Sequence, residues 1–414
     1  MSDRINYAWV VLAGLFLLYM ATNGIMLNTL PLMYPELTKE FGWNEAEVTR
    51  PAALFLLLTA ILTPFMGALC DKFSPRLIIL LGVVLIVGPL AFYPQISSLG
   101  QMTTIYLICA VGLACCGLVA NMLVLSRWFT QRRGLAIGIF LMASSLGGAV
   151  FPLLARETLS TQGWQQAIML ITAIGAGMMA LGLLLIRDRP PAPKTVAEGD
   201  GSDAPALPAT TGVATLRAAV KMPAFYLLMV ATGAVWFAIV AILQHQSIYL
   251  GQDLGVSTEQ LPLIFSVFFW CAIIGKVLFG YLGDRFNKVW ILVLSIANLI
   301  AGLVVLRLAD PNQMITLYGY AVVYGVGFAG AFSAIQLVLA EFFAGPSYGR
   351  ILGVFTMVDS LAGAVGIQFL GARRVADESY VPGLELMIGL LVAVMLMTIV
   401  LRRYQPEPQP MPAH

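Results

Sequence analysis

Residues 138–150 read GIFLMASSLGGAV and residues 353–365 read GVFTMVDSLAGAV, with the same residue at eight of thirteen positions. A second pair of stretches, GALCDKFSPR at 67–76 and GYLGDRFNKV at 280–289, repeats after 213 residues, close to the 215 residues that separate the first pair. Two matches at nearly one spacing indicate an internal duplication, which predicts that the 414-residue chain folds as two similar halves.

The sequence around these repeats is strongly apolar. Hydrophobic residues make up 59% of the chain and charged residues 11%, whereas a soluble domain is about 45–50% apolar and about 25% charged. This composition excludes a water-soluble globular enzyme, because too few charges are available to cover a soluble surface. The 39 glycines suit membrane helices, which pack through small residues. A net charge of +2 gives no indication of nucleic-acid binding.

Long apolar runs divide the chain into segments that can each cross a bilayer. A spanning helix needs about 20 mostly apolar residues, and continuous runs favour helices over the alternating strands of a membrane barrel. The sequence therefore predicts an all-α membrane protein with twelve transmembrane helices in two pseudo-symmetric six-helix bundles. The predicted spans are 7–30, 50–70, 76–94, 102–126, 134–156, 165–186, 222–250, 260–283, 289–308, 314–342, 349–371 and 382–402.

One long hydrophilic stretch, at about 187–221, separates the sixth predicted span from the seventh. It contains PPAPKTVAEGDGSDAPALPATTG, and this mixture of Pro, Gly, Asp and Ala is typical of a flexible linker. We therefore predict an N-terminal bundle over 1–186, a cytoplasmic linker over 187–221 and a C-terminal bundle over 222–414.

The distribution of Lys and Arg predicts the orientation of the chain in the membrane. With the N-terminus in the cytoplasm, sixteen of the 23 Lys and Arg residues fall on the inner side, six fall outside and Lys276 lies within a span. Because cytoplasmic loops carry an excess of positive charge, both termini and the linker are expected in the cytoplasm. The start, MSDRINYAWVV, runs into the first span without a cleavage site, so we expect a retained first helix in a multi-pass protein of an inner or plasma membrane.

Motifs for catalysis are missing from the sequence. The five cysteines have no CxxC spacing, so neither disulfides nor a zinc site is indicated. The phosphate-binding pattern GxxxxGK followed by Ser or Thr is absent, which argues against ATP hydrolysis. Because His245 is the one histidine besides the C-terminal His414, a metal site or a catalytic triad has no support. We therefore expect neither an enzyme, nor a cofactor, nor a bound metal.

Both copies of the shorter repeat place a glycine, an acidic residue and a basic residue at the end of a predicted span. The residues are Gly67, Asp71 and Arg76 in the first half and Gly280, Asp284 and Arg285 in the second. This pattern resembles the loop signature of the major facilitator superfamily, whose members are transporters. The glycine lets two helices approach closely, and the acidic residue can face helix N-termini. The resemblance implies a gate at the cytoplasmic end; alternatively, the loops act only in packing and topology.

A second resemblance narrows the family. RWFTQRRGLAIGIFLMASSLGG at 127–148 is similar to the fifth-helix signature of the monocarboxylate transporters and the bacterial oxalate/formate antiporters, and its Arg132 and Arg133 would join the gate. In that group an arginine on the eighth helix pairs with the substrate carboxylate, and the matching position here is Lys276. Lysine keeps the positive charge but lacks the planar fork that suits a carboxylate. Ala272 stands where the vertebrate members carry an aspartate.

Two ionisable residues fall inside predicted spans, where a charge costs a few kcal/mol and often marks a functional site. Lys276 lies roughly 10 Å and Asp359 roughly 15 Å from the nearer span end, at 1.5 Å per residue. Asp359 takes the place of Ser144 in the longer repeat. We expect Lys276 to bind an anion and Asp359 to couple to a proton, and we expect the two to interact directly or through water in the empty protein. Alternatively, Lys276 extends to the membrane surface and Asp359 belongs to a structural ion pair.

Polar and aromatic residues on other spans are further candidates. For substrate binding they are Tyr19, Asn23, Asn28, Asn121, Tyr324 and Gln336, with Trp236 and Trp270 as aromatic candidates. Tyr19 and Asn23 are four residues apart and therefore share a helix face. His245, in a polar cluster on the seventh span, could couple to protons or meet substrate at the outer mouth. Each of these residues could instead make an ordinary interhelical hydrogen bond or packing contact.

The residues together with the resemblance predict a proton-coupled secondary transporter of a small organic anion, which works by alternating access, and the resemblance implies that the anion is a monocarboxylate. Its expected partners are the substrate, a proton and lipid, with no nucleic acid, and it is expected to be a monomer. One alternative is a carrier of a neutral or zwitterionic solute in which Lys276 and Asp359 form a charge pair, and another is an anion exchanger. A non-transporting membrane sensor is a further alternative, which would be expected to carry a long signalling extension.

Overall fold

The computed structural model describes residues 2–129, 133–188, 216–310, 313–343 and 348–404. Within these ranges the secondary structure is helical throughout, and twelve helices are long and apolar enough to cross a membrane. They are α1 (Ser2–Asn23, continued to Phe41), α2 (Glu45–Lys72), α3 (Pro75–Phe92), α4 (Leu99–Cys116 and Leu118–Trp128), α5 (Arg133–Gln162), α6 (Trp164–Leu185), α7 (Pro223–Ile248), α8 (Leu261–Arg285), α9 (Lys288–Arg307), α10 (Met314–Phe343), α11 (Tyr348–Asp377) and α12 (Val381–Leu401). The predicted all-α membrane fold is confirmed.

The starts of α3 and α9 show how the repeated sequence specifies repeated structure. α3 begins after Ser74, whose hydroxyl accepts a hydrogen bond from the Leu77 backbone N–H, and Pro75 occupies the first helical position. α9 begins after Asn287, whose side-chain oxygen accepts hydrogen bonds from backbone N–H groups of the first turn. Ser74 and Asn287 are equivalent positions of the repeat. Because Ser and Asn both satisfy the free N–H groups at a helix start, the boundary is kept although the residue differs.

α1 changes its helical form midway along the first span. After Asn23 the chain forms a π-helical turn over Gly24–Thr29 and a 3-10 turn over Leu30–Met33, and then continues as an α-helix over Tyr34–Phe41. A π turn adds a residue to the helical repeat and is frequent at functional sites. These turns carry α1 beyond the end predicted at residue 30, and they rotate the side chains of the turn relative to the rest of α1.

The helices of the two halves pack in the same pattern. In the first half α1 packs against α5 and α6, α4 packs against α2 and α3, and α3 also meets α6. In the second half α7 packs against α11 and α12, α10 packs against α8 and α9, and α9 also meets α12. Each pairing therefore recurs six helices later, which is the structural counterpart of the sequence repeat.

The two halves meet where α5 packs against α8 and α2 packs against α11. Because each half has an even number of spans, the start of α1, the end of α6, the start of α7 and the end of α12 lie at one end of the bundle, here called the linker end. The opposite end is called the far end. Large apolar side chains such as Leu184, Leu308 and Ile315 are more than 70% exposed, as expected for side chains that face lipid.

Most of the predicted linker, residues 189–215, lies outside the described residues. The chain is described again from a short helix over Leu216–Ala219, which precedes α7. The domain bounds 1–186, 187–221 and 222–414 stay a prediction, which the repeated packing pattern supports.

Candidate functional site

Two consecutive glycines of α5 organise the centre of the molecule. Gly147 faces α1, where a Cβ atom would collide with the Met20 carbonyl and lie 3.0 Å from the Gly24 Cα. Gly148 faces α8, where a Cβ atom would lie 2.5 Å from the Phe269 ring. Because neither position accommodates a side chain, α5 can touch α1 of its own half and α8 of the other half at the same level.

Ser144, one turn before this glycine pair, brings together two residues that the sequence predicted for the site. The Asn28 amide, on the π turn of α1, donates a hydrogen bond to the Ser144 carbonyl oxygen at 3.3 Å. The Lys276 ammonium, on α8, lies 3.5 Å from the Ser144 hydroxyl and 3.4 Å from the Leu141 carbonyl oxygen. Helices from both halves therefore present polar groups to one point on α5.

The Lys276 ammonium has no anionic partner among the described residues. No carboxylate oxygen of those residues lies within the 4.0 Å that defines an ion pair. Besides the two oxygens of α5, its neighbour is the Phe332 ring of α10, whose centroid is 5.2 Å from Nζ. A ring face attracts a cation by about 0.5–2 kcal/mol, less than a charged partner supplies inside a membrane. The position is cationic and suited to an anionic ligand.

Asp359 faces α7, within the second half. The residue is 8% exposed, and the Thr232 hydroxyl of α7 is its polar neighbour. Among the described residues, neither Asp359 Oδ1 nor Thr232 Oγ1 completes a hydrogen bond within 3.5 Å. α7 and α11 are close here, since a Cβ atom on Gly233 would lie 3.6 Å from the Val358 side chain.

The expected direct contact between Lys276 and Asp359 is not formed in this conformation. Lys276 turns towards α5 of the first half, whereas Asp359 turns towards α7 of its own half. The charge pair that a carrier of neutral solutes would use is therefore also not formed between these two described side chains.

Asn23 and Asn121 have hydrogen-bond partners on their own helices, and the Tyr19 ring packs against α5. The Asn23 amide donates to the Tyr19 carbonyl oxygen at 3.1 Å, and the Tyr19 ring stacks on Phe140 with 4.6 Å between ring centroids. The Asn121 amide donates to the carbonyl oxygens of Cys116 and Gly117, at 2.7 and 2.8 Å. α4 is interrupted at Gly117, and the Asn121 amide satisfies carbonyls that the interruption frees. Asn121 therefore shapes α4, although its own Oδ1 is buried without a partner among the described residues.

The predicted residues of α10 lie in different surroundings. Tyr324 is fully buried, with its ring 5.5 Å from Tyr320 and 5.9 Å from Phe268, and its hydroxyl has no partner among the described residues. Gln336 is exposed, three helical turns further towards the linker end. Neither residue contacts the group formed by Ser144, Asn28 and Lys276.

His245 lies at the far end of α7 and is 1% exposed. Its Nε2 is 2.9 Å from the Ile367 carbonyl oxygen, so Nε2 carries a hydrogen, because a carbonyl can only accept. Its Nδ1 is 2.7 Å from the Tyr380 hydroxyl. Both ring nitrogens are thus occupied, and His245 makes its contacts away from Lys276.

Hydrogen bonds between α1 and α7 close the far end. This far-end seal consists of three contacts: Tyr34 with Gln244, Pro31 with Ser247, and Thr38 with Gln252. The Tyr34 hydroxyl donates to the Gln244 side-chain oxygen at 3.0 Å, and the Ser247 hydroxyl donates to the Pro31 carbonyl at 2.5 Å. These four residues are buried, so the two halves meet at the far end through polar groups from which water is excluded.

Ion pairs continue the seal along both contacts between the halves. Arg374 of α11 pairs with Glu45 at the start of α2 at 3.7 Å, and with Asp253 beyond α7 at 3.0 Å. These three side chains are only 15–18% exposed. Arg156 of α5 pairs with Glu259, just before α8, at 2.6 Å, but these side chains are 37% and 62% exposed. Since water screens an exposed pair, we expect the Arg374 group to contribute more to closure.

At the linker end, Asp188 joins the predicted gate loop to α6. Its carboxylate accepts hydrogen bonds from the Ser74 hydroxyl and, at 2.8 Å, from the Arg76 backbone N–H. A carboxylate at a helix N-terminus is stabilised by the free N–H groups there. Asp188, which sequence reasoning missed, therefore fixes the start of α3 against the end of α6. The sequence did contain a signal for Asp188. It is an acidic residue directly after the sixth span, and it can bind at the helix start that follows Ser74.

The second copy of the gate loop differs at the surface. The Arg285 guanidinium lies over the Tyr281 ring, 4.4 Å from its centroid, and a Cβ atom on Gly280 would meet open space. The remaining predicted gate side chains lie outside what the structure describes, and they are Gly67, Asp71, Arg132, Arg133 and Asp284. The gate role stays a prediction.

Known proteins are similar to this chain over most of its length. The model of the Major Facilitator Superfamily matches residues 11–367 and, in a second match, residues 245–413. Monocarboxylate transporter 6 of Homo sapiens is 26% identical over 393 residues, covering 91% of this chain and 76% of that protein. Monocarboxylate transporter 13 of Rattus norvegicus is 25% identical over 382 residues, covering 91% and 84%. The fujikurins efflux protein of Gibberella fujikuroi is 23% identical over 360 residues, covering 86% and 73%.

A solved structure shares the fold. It is a bacterial homologue of the human lysosomal transporter Spinster in an inward-facing, occupied conformation, with a TM-score of 0.74 and 18% sequence identity, covering 97% of this chain and 99% of that one. At this identity the likeness concerns the fold alone. Twelve helices in two repeated halves and a family match over most of the sequence lead to one conclusion: the chain belongs to the Major Facilitator Superfamily and is a multi-pass membrane transporter, not an enzyme.

Proposed function

We propose that the protein is a secondary active transporter that moves a small organic anion, a monocarboxylate, by alternating access with proton coupling. The observation that carries this proposal is the Lys276 ammonium, which lies between the halves without an anionic partner among the described residues. A charge that stays unpaired inside a membrane is costly, and a bound carboxylate would compensate it. Two relatives named monocarboxylate transporters, at 25–26% identity, support this class of substrate.

The geometry supports a specific binding mode. One carboxylate oxygen would approach Lys276 Nζ, and the other would accept a hydrogen bond from the Ser144 hydroxyl, which lies 3.5 Å from Nζ. An ammonium is a compact charge without a preferred plane, so the orientation of the carboxylate depends on Ser144 and on the neighbouring Asn28 amide. Because Ser144 and Lys276 belong to different halves, the bound anion would link the halves and influence their relative position.

The proposed orientation places the far-end seal on the outer side of the membrane. The excess of Lys and Arg at the linker end favours a cytoplasmic linker and cytoplasmic termini. The far-end seal then closes the path to the outside. In alternating access, this seal would open as contacts form at the linker end.

Asp359 is the proposed proton site. Its carboxyl group is buried, and no cation pairs with it among the described residues. Protonation would remove a negative charge that repels the substrate carboxylate, so proton binding would strengthen anion binding. Linkage makes the effect reciprocal: bound substrate would favour the protonated form, which couples one proton to one anion.

The test is to change the charge of Lys276 and measure carboxylate binding by calorimetry in detergent. Lys276→Gln should weaken binding by at least about a hundredfold, because it leaves a buried carboxylate unpaired. Lys276→Arg should retain part of the affinity because it retains the charge. Lys288→Gln is a matched control, since Lys288 pairs with Glu341 at 3.6 Å and lies outside the site. Unchanged affinity in Lys276→Gln would contradict the proposal.

A further inference from the structure

The Lys276 ammonium lies beside a continuous aromatic surface. It is 5.2 Å from the centroid of the Phe332 ring on α10. Phe332 in turn meets Trp236 of α7 edge to face, with 6.0 Å between centroids and 81° between ring planes. Both residues are only partly buried. We call Phe332 and Trp236 the aromatic shelf, which extends from the cation across α10 to α7.

A second aromatic pair lies on the first half of the protein. Phe140 of α5 precedes Ser144 by four residues and therefore shares its helix face. The Tyr19 ring of α1 stacks on Phe140, with 28° between the ring planes. Aromatic side chains of both halves therefore lie near the contact between Ser144 and Lys276.

The polar part of this site is small. Lys276 is the one cation, among the described residues, that contacts Ser144, Leu141 or Phe332. A second carboxylate on the substrate would lie against rings without a compensating charge, and burial of an unpaired charge is costly. A flat apolar group at the same place would contact ring faces and edges, which is favourable.

We propose that the aromatic shelf selects monocarboxylates that carry an aromatic ring over short aliphatic acids and over dicarboxylates. This inference rests on the proposed function, since Lys276 must hold the carboxylate. Phe332 and Trp236 determine specificity by contacting the rest of the substrate. The expected preference for a ring is about tenfold or more, from burial of the ring and its contacts with aromatic side chains.

The experiment measures binding of three probes, 3-phenylpropionate, propionate and malonate, to the purified protein in liposomes. The wild type should bind 3-phenylpropionate at least about tenfold more tightly than propionate, and malonate most weakly. Phe332→Leu keeps apolar volume but removes the ring, so it should reduce the preference to about threefold or less. The propionate affinity of the same variant controls for the lost contact between Phe332 and the ammonium. Trp236→Leu should act in the same direction.

A tryptophan elsewhere provides the matched control. Trp270 of α8, an aromatic candidate from the sequence, is 47% exposed. The control is Trp290 of α9, which is 43% exposed and lies beside Arg402, so Trp290→Leu should leave the preference unchanged. Equal affinity of the wild type for 3-phenylpropionate and propionate would contradict the selective role of the aromatic shelf and would leave the proposed function intact. Tighter binding of malonate would contradict both the role of the shelf and the choice of a monocarboxylate as substrate. Failure of all three probes to bind would overturn the proposed function itself, and the shelf with it.

Discussion

Asp359 differs from the largely buried acidic side chains of the far end, because it is buried beside a hydroxyl and no cation pairs with it among the described residues. Glu45 and Asp253 are also largely buried, but both pair with Arg374. A carboxyl group beside Thr232 alone can lose its charge without breaking an ion pair. That property suits a group that gains and releases a proton in every cycle.

We expect Asp359→Asn to separate substrate exchange from proton coupling. The amide is similar in size and resembles the protonated carboxyl group, so the variant should still bind substrate and exchange it across the membrane. It should lose uptake driven by a pH gradient. Counterflow and gradient-driven uptake are measured in the same liposomes. Asp377→Asn, near the far end of the same helix and in a partly exposed pair with Arg373, should keep both activities. Full pH-driven accumulation in Asp359→Asn would assign the residue a structural role.

Sequence reasoning identified some of these residues but not how they combine. Lys276 and Asn28 were predicted because charged and polar side chains are rare inside spans. Ser144 was noted only as the repeat partner of Asp359, because a serine in a membrane helix is common and its role arises from contact between the halves. The direct contact between Lys276 and Asp359 is not formed, because depth along two helices does not determine which neighbour each side chain faces.

At the scale of elements, the close crossing of α1 and α5 holds the site together. Gly147 and Gly24 allow the two backbones to touch, and the π turn that follows Gly24 carries Asn28 to Ser144. The sequence predicted all twelve spans, since apolar length alone defines them. It did not predict the π turn, because such a turn depends on packing against a neighbour and not on apolar length.

Gly147→Ala should destabilise the protein and weaken substrate binding. Its Cβ atom would meet the Met20 carbonyl and the Gly24 backbone, neither of which can rotate away as a side chain can. Overpacking of this kind costs about 1–3 kcal/mol, and separation of α1 from α5 would move Asn28 away from Ser144. Thermal unfolding in detergent and calorimetry measure the two effects. Gly138→Ala, on the same helix but facing open space, is the control. Equal melting temperatures for the two variants would contradict the proposal that the close crossing of α1 and α5 stabilises the site.

At the scale of the whole molecule, the far end is closed by two kinds of contact. The far-end seal joins α1 to α7 through buried hydrogen bonds, and ion pairs join α2 to α11 and α5 to α8. The two ion pairs join corresponding helices of the repeat, α5 with α8 and α11 with α2, but their burial differs. The balance between closed and open forms should therefore depend more on the pair of Arg374 with Glu45 than on the pair of Arg156 with Glu259.

Glu45→Gln should shift the population towards a form that is open at the far end, whereas Glu259→Gln should shift it little. The first change weakens a largely buried pair and the second an exposed one, and exposed pairs contribute only about 0–1 kcal/mol. Spin labels at Thr161 and Ala376, both exposed at the far end, report the separation of the halves by double electron–electron resonance. Equal distance distributions in the two variants would contradict this ranking.

The lone charges of Lys276 and Asp359 also have an electrical consequence. In the proposed cycle the empty site contains one positive and one negative group, and the loaded site contains an ammonium, a substrate carboxylate and a protonated Asp359. Both forms are neutral, so a membrane potential performs no work on either. In Asp359→Asn the empty form keeps an uncompensated positive charge, and moving one charge through the whole field is worth about 2.3 kcal/mol per 100 mV. The variant that loses its dependence on pH should therefore acquire a dependence on voltage, confined to the return of the empty carrier.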